Sequence, residues 1–364
     1  MVDVTRRSFV GFAATLPLLA HNPWAQAQIE TASVAATSDE VLINFNESPW
    51  GPSTAARQAM QEGIALSGRY PYKIQYRLNA LFARQQGIPE DFVQTYSGSK
   101  QALQHAVHAF TQQGSLVVAA PSYEDPVQAA RGRNVAVHEV PLNAEHAHDL
   151  PRMLAADHQP GLIYICNPNN PTGTLTARSD IERALKDKPK GSILLVDEAY
   201  IDFSQAITCI PLVKDHPDLL VLRTFSKIYG MAGARLGIAV GNPALLEQLE
   251  VFGNYNVPAA SSLLGAIASL EDASLLAQRK QNNTRLREET IAWLSARGFR
   301  CTASQANCFM IDVRRPAAAV VKALAERHVH VGRVWKEWPT WVRVSVGTDD
   351  DMRRFREAFA KVLA

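Results

Sequence analysis

The chain predicts an α/β fold: a mostly parallel β-sheet covered by helices on both faces, followed by a smaller α+β domain. Short apolar runs at Leu162–Cys166, Ser192–Val196 and Leu219–Leu222 read as strands buried on both faces, as parallel sheets require. Each gives way to polar residues, and the carboxyl ends of such strands are where open α/β sheets bind ligands. Strand and helix patterns alternate through residues 134–200, which adds the covering helices.

Taken in order, residues 28–39 are small and polar without a period and open an N-terminal arm, residues 28–52. Val41 to Asn46 is a short strand entering a turn, Pro49-Trp50-Gly51-Pro52, and Ser53 is placed to cap the next helix. Ser97-Gly98-Ser99-Lys100 precedes an amphipathic helical stretch, Ala102 to Phe110. Free N–H groups at a helix start, with glycine allowing close approach, make an anion site. Ser115–Ala120 is the next strand and runs into Pro121-Ser122-Tyr123. Ile238 to Gly241 closes a large domain, residues 53–250. In the small domain, residues 251–364, one long helical pattern runs from Ala259 to about Arg297. It is followed by strands at Arg300–Thr302 and Cys308–Val313, a helix over Pro316 to Arg327, a strand at Trp341–Val346 and a helix from Asp349.

The chemistry centres on Lys227, just beyond a buried strand. Thr224 and Ser226 offer hydroxyls beside it, and Arg235 adds a planar guanidinium eight positions on. Hydroxyls and a guanidinium suit a phosphate dianion, and a lysine amine beside them suits an aldehyde cofactor that carries one. Pyridoxal 5′-phosphate (PLP) is that cofactor, held by Lys227 as a Schiff base. Asp197, at a strand end, is placed to pair with a protonated pyridine nitrogen. Tyr200 can donate to the ring's phenolic oxygen, and Asn170 offers its amide from the rigid loop Asn167-Pro168-Asn169-Asn170-Pro171-Thr172-Gly173.

These motifs, with Asp197-Glu198-Ala199-Tyr200 and Thr224-Phe225-Ser226-Lys227 in that order and spacing, resemble the PLP-dependent aminotransferases of fold type I, and within them the histidinol-phosphate aminotransferase branch. The resemblance covers roughly residues 42 to 362. It implies a seven-stranded type of sheet, transfer of an amino group between an amino acid or related amine and a 2-oxo acid, and catalysis by Lys227, Asp197 and Tyr200. It places Gly98, Ser99 and Lys100 at the cofactor phosphate and Tyr123 against the cofactor ring. Tyr70, in Arg69-Tyr70-Pro71, matches a tyrosine that reaches the neighbouring subunit's cofactor, which implies a homodimer. Arg343 matches the arginine that grips the substrate carboxylate, Arg333 a second anion-binding arginine, and Asn46 lies on the substrate side. Two other outcomes stay open on this scaffold: histidinol-phosphate aminotransferase proper, and a PLP-dependent decarboxylase of a phosphorylated amino acid. Trp335, Trp338 and Trp341 crowd the loop after Arg333, which fits either an aromatic or bulky amino acid substrate or packing within the protein.

The 364 residues carry 37 basic and 35 acidic side chains, a net charge of +2 that gives no basic excess for nucleic acid. Four cysteines without metal spacing give neither a metal site nor a disulfide framework. Thr5-Arg6-Arg7-Ser8-Phe9 precedes an apolar run, Val10 to Ala20, and then Ala25-Gln26-Ala27, the layout of a twin-arginine export signal cleaved after residue 27. The run is too short and broken to span a bilayer, so no membrane anchor is expected after cleavage. Export of a folded protein fits a cofactor loaded in the cytoplasm and an enzyme that works in the periplasm. Ser97 and Lys100 also satisfy a Ser-x-x-Lys pattern of β-lactam-binding enzymes, but the Ser-Asp-Asn and Lys-Thr-Gly companions are missing.

Overall fold

The computed structural model describes residues 39–253 and 256–363. The expected export signal, residues 1–27, and the arm as far as residue 38 lie outside the described residues.

Twelve strands are described: β1 Val41–Ile43, β2 Val93–Tyr96, β3 Ser115–Ala120, β4 Val137–Pro141, β5 Pro160–Cys166, β6 Ile193–Asp197, β7 Leu219–Thr224, β8 Gly237–Gly241, β9 Arg300–Cys301, β10 Cys308–Asp312, β11 Val329–Val331 and β12 Trp341–Ser345. Seven form the main sheet in the order β2-β8-β7-β6-β5-β3-β4. Its strands run parallel from β4 to β7, and β8 is antiparallel to both its neighbours. This is the mostly parallel seven-stranded sheet the sequence implies. Strands β5, β6 and β7 are apolar through their middles because helices cover both faces, and Leu162, Ile163, Leu194, Leu195, Leu220 and Val221 are fully buried, with the polar Asp197, Arg223 and Thr224 held to the carboxyl ends.

Register decides what the sheet presents. Cys166 pairs with Asp197 and Asp197 with Leu222, so β5 and β6 end level and β7 runs two residues further, to Thr224. The Asn170 loop, Asp197 with Tyr200, and Lys227 therefore leave the sheet side by side at its carboxyl rim.

A second core, around Phe309, Ile311, Val342, Val344, Phe355 and Phe359, holds the three-stranded antiparallel sheet β12-β10-β9. It also takes in Val41 and Ile43, because β1 pairs in parallel with β11. The N-terminal segment is thereby tied to the later part of the chain, and Asn44 to Ser48 are laid across the mouth of the site. The helical pattern expected to run unbroken from Ala259 divides into Ala260–Glu271 and Leu275–Ser295, bent by 82°. Asp272 causes the break: its carboxylate accepts from Ser274 N at 3.1 Å and Ser274 Oγ at 2.8 Å, a turn that competes with the helix ladder. The helix Thr54–Ile64 begins as expected, with Ser53 Oγ accepting from Ala56 N at 3.1 Å.

Candidate active site

The helix Ser99–Phe110 starts against β8, and two glycines permit the approach. A Cβ on Gly237 would collide with Ser99 N; one on Gly98, whose φ is 90°, would collide with the Arg235 guanidinium. The first N–H groups of that helix and an exposed guanidinium therefore share one cradle. Arg235 is fixed there by Nη1 donating to Ala232 O at 2.8 Å. Thr224, at the end of β7, accepts from Ser226 N at 3.1 Å, which turns the chain sharply toward Lys227. N–H donors at a helix start, hydroxyls and an arginine fit a phosphate.

Lys227 Nζ donates to Phe45 O at 3.2 Å and lies 5.6 Å from the centre of the Tyr200 ring. Burial, with the Arg343 guanidinium nearby, pushes its amine down to about 8. Asp197 is 4% exposed and accepts from Tyr164 Oη at 3.0 Å and Ala199 N at 3.1 Å. Burial nonetheless raises its carboxyl to about 6, since two neutral donors do not offset the loss of water. A buried carboxylate without an ion-pair partner among the described residues is the counter-charge that a protonated pyridine nitrogen needs.

Tyr200 is buried, and its hydroxyl accepts from Asn46 Nδ2 at 3.1 Å. Arg343 is buried too: Nη1 donates to Asn170 Oδ1 at 2.9 Å, Nη2 donates to Asn44 O, and Nε has no hydrogen-bond partner. Trp335 lies between the two predicted anion-binding arginines, its ring 5.3 Å from the Arg343 guanidinium carbon and 4.4 Å from that of Arg333. Tyr123 Oη donates to Asp125, whose other oxygen is paired with Lys100 Nζ at 3.0 Å.

Fourteen of the fifteen predicted site residues thus occupy one connected region at the carboxyl rim and the adjoining helix start. Tyr70 is the exception: it is 82% exposed and contacts the ring of Tyr72 instead. Asn46 is 1% exposed and bonded inward, so its link to the cleft runs through Tyr200. The side chain of Lys100, a residue expected at the cofactor phosphate, is paired with Asp125 and reaches Tyr123 through it. Trp338 and Trp341 meet His146 edge-on beside a cavity of about 650 Å³ lined by none of the predicted site residues.

Sequence reasoning missed Tyr164, Asp125, Glu124 and Ser345. Tyr164 left a signal, a phenol within an aliphatic buried strand that demands a partner. The other three become visible only when distant segments meet.

Two arginines, a cationic helix start, a lysine with a depressed pKa and an uncompensated buried aspartate on an open parallel sheet define a pyridoxal-phosphate site. The Aminotransferase class I and II profile matches residues 38–359, and the chain belongs to that family. It is a PLP-dependent aminotransferase. The chain is 32% identical over 334 residues to the histidinol-phosphate aminotransferase of Bacillus velezensis, covering 89% of this chain and 91% of the relative. Its fold matches the histidinol-phosphate aminotransferase of Sinorhizobium meliloti in complex with pyridoxal-5′-phosphate, with a TM-score of 0.83, 23% identity and coverage of 98% and 99% of the two chains. It also matches L-threonine-O-3-phosphate decarboxylase from Porphyromonas gingivalis, with a TM-score of 0.76, 21% identity and coverage of 88% and 98%. The fold alone therefore does not fix the reaction.

Proposed function

We propose that the enzyme transaminates an amino acid in the periplasm, as a homodimer, with Lys227 as its catalytic base. The observation that carries the assignment is the Lys227 amine, pushed down to about 8, standing beside Tyr200 and within the field of Asp197. Bound PLP supplies an aldehyde that condenses with amines and a pyridine ring that withdraws electrons from the substrate's α-carbon.

The protein's own groups do the rest. Gly98, Ser99, Lys100, Thr224, Ser226 and Arg235 hold the phosphate, and Tyr123 covers the ring. Asp197 holds a proton on the ring nitrogen, and Tyr200 and Asn170 donate toward the phenolic oxygen. Arg343 orients the substrate by its carboxylate, using Nε, the guanidinium nitrogen that the protein leaves without a hydrogen-bond partner. Lys227 Nζ then takes the proton from the substrate's α-carbon, and an amine neutral near pH 8 is a base matched to that step.

Borohydride reduction of the holoenzyme is expected to fix the cofactor on the peptide that contains Lys227. Lys227→Ala is expected to abolish both that mass increment and turnover. Full activity in the variant would end the proposal.

Exposed Ile64, Leu66, Tyr70, Tyr72 and Tyr76 form an apolar surface at the end of one helix and the start of the next, and this supports self-association with Tyr70 reaching the partner's cofactor. Sedimentation of wild type and Tyr70→Phe, with cofactor affinity measured in parallel, tests both parts. A monomeric active wild type would refute them. Periplasmic location rests on Arg6-Arg7, the apolar run and Ala25-Gln26-Ala27. An exported protein that begins at Gln28 is the expected product; retention of the full chain in the cytoplasm would contradict it.

A further inference from the structure

The cleft beyond Lys227 has two guanidiniums with opposite circumstances. Arg343 is buried, makes no ion pair among the described residues and keeps an unpartnered Nε. Arg333, on the other side of Trp335, is about a third exposed and is paired with Glu124 Oε2 at 2.7 Å. Glu124 follows Tyr123 directly, so the carboxylate is anchored by the same turn that sets the proposed ring cover. The inner arginine thus has charge to offer a ligand, whereas the outer one has spent its charge on the protein.

A substrate with its carboxylate on Arg343 and its amine at Lys227 extends past Trp335 toward the Arg333–Glu124 pair. A second anion arriving there meets a carboxylate already paired with the guanidinium through Nη2. It must displace Glu124 or accept like-charge repulsion in a partly desolvated site. An uncharged side chain meets an indole face and a neutral ion pair, and incurs neither cost.

We propose that Glu124 sets substrate specificity: by neutralising Arg333 it excludes a second anionic group, so the enzyme takes amino acids with one carboxylate and an uncharged side chain. Phosphorylated amines and dicarboxylic amino acids are poor substrates. The inference rests on the reading that Arg343 and Lys227 hold the substrate's carboxylate and amine.

The test is the single-turnover reaction of the holoenzyme with phenylalanine, glutamine, glutamate and histidinol phosphate, read from the visible absorbance of the bound cofactor. Glutamine and glutamate are nearly isosteric and differ by one charge, so their ratio isolates the electrostatic selection. Wild type is expected to favour the better neutral amino acid over both anionic donors by about tenfold or more in second-order rate constant. Glu124→Gln and Glu124→Ala are each expected to shift the anionic-to-neutral ratio by about tenfold toward the anionic donors. If Glu124 served only to support the turn, both variants would slow all four donors alike and leave the ratio where it was, which overturns the proposal. A wild type that prefers glutamate or histidinol phosphate overturns it as well. If no donor changes the absorbance of a cofactor-loaded wild type, the assignment of the substrate cleft itself fails, and the proposal falls with it.

Discussion

Asn46 Nδ2 donates to the Tyr200 hydroxyl at 3.1 Å. Its Oδ1 accepts from Ser345 Oγ at 2.9 Å, while Ser345 Oγ itself accepts from Asn46 N at 2.9 Å. In this arrangement the serine hydroxyl donates to the amide oxygen while accepting from the backbone N–H, and the amide nitrogen faces the phenol. Tyr200 therefore receives a hydrogen bond from the protein and keeps its own proton for the cleft. Asn46 has a φ of 54°, a left-handed conformation that asparagine tolerates well.

Asn46→Asp retains the shape and the backbone tolerance but replaces the donor with an acceptor. The carboxylate would draw the Tyr200 proton inward, away from the cofactor. Loss of one polarised hydrogen bond at the reacting ring predicts a fall in turnover of about 10- to 100-fold. Ser345→Ala, which frees the amide without reversing it, is expected to cost about fivefold or less. Equal activity of Asn46→Asp and wild type in steady-state assays would show that Tyr200 is not held as a donor.

Asp197→Asn separates stability from function. The folded carboxyl titrates at about 6, above the ordinary value of 3.8, so between these values the native state holds a proton that the unfolded chain releases. Its contribution to stability is fully present below the unfolded value and is lost as pH rises through about 6. Above that, the buried charge destabilises the cofactor-free protein by about 2–3 kcal/mol, and the neutral amide removes this term. Thermal melts of the apoprotein are expected to show the variant more stable by several degrees at about pH 8, with the gap closing toward about pH 5. Turnover is expected to be lost. Superimposable melts across that range would mean that Asp197 is compensated in the apoprotein.

Lys100 acts at one remove. Its ion pair with Asp125 is half-exposed on the lysine side, and Asp125 in turn accepts the Tyr123 hydroxyl hydrogen. Exposed pairs are worth about 0.2–1 kcal/mol, so Lys100→Gln is expected to weaken cofactor affinity only a few-fold. Added salt should mimic the substitution in wild type and have little further effect on the variant. A loss of a hundredfold would instead indicate direct contact of the lysine with the cofactor phosphate.

The residues that were legible in sequence are those whose chemistry is local. Lys227, Thr224 and Ser226 lie at or just beyond the end of one strand, Asp197 and Tyr200 of another, Asn170 of a third, and adjacent parallel strands bring them together without further information. Asn46 and Ser345 are separated by 299 positions, and Glu124 meets Arg333 across the two cores. No periodicity announces such pairs. The strand Val329–Val331 escaped for a related reason: three residues acquire strand character only from pairing with Val41–Ile43. The helix break at Asp272 was hidden because the apolar pattern continues on both sides of the turn.

Arg343 influences Lys227 before any substrate arrives. Its charge is the second cause, after burial, of the depressed lysine pKa, because a protonated amine beside a buried guanidinium is disfavoured. Replacing Arg343 with methionine keeps the site filled and removes the cation. The lysine pKa is then expected to rise from about 8, remaining below the ordinary 10.5 because burial persists. Activity assays would confound this with the loss of substrate binding. The measurement is therefore the rate at which apoprotein takes up PLP as a function of pH, which requires the neutral amine and involves no amino acid. A midpoint displaced upward in Arg343→Met shows that the arginine prepares the lysine as well as holding the substrate. An unmoved midpoint assigns the depression to burial alone and confines Arg343 to the substrate's carboxylate.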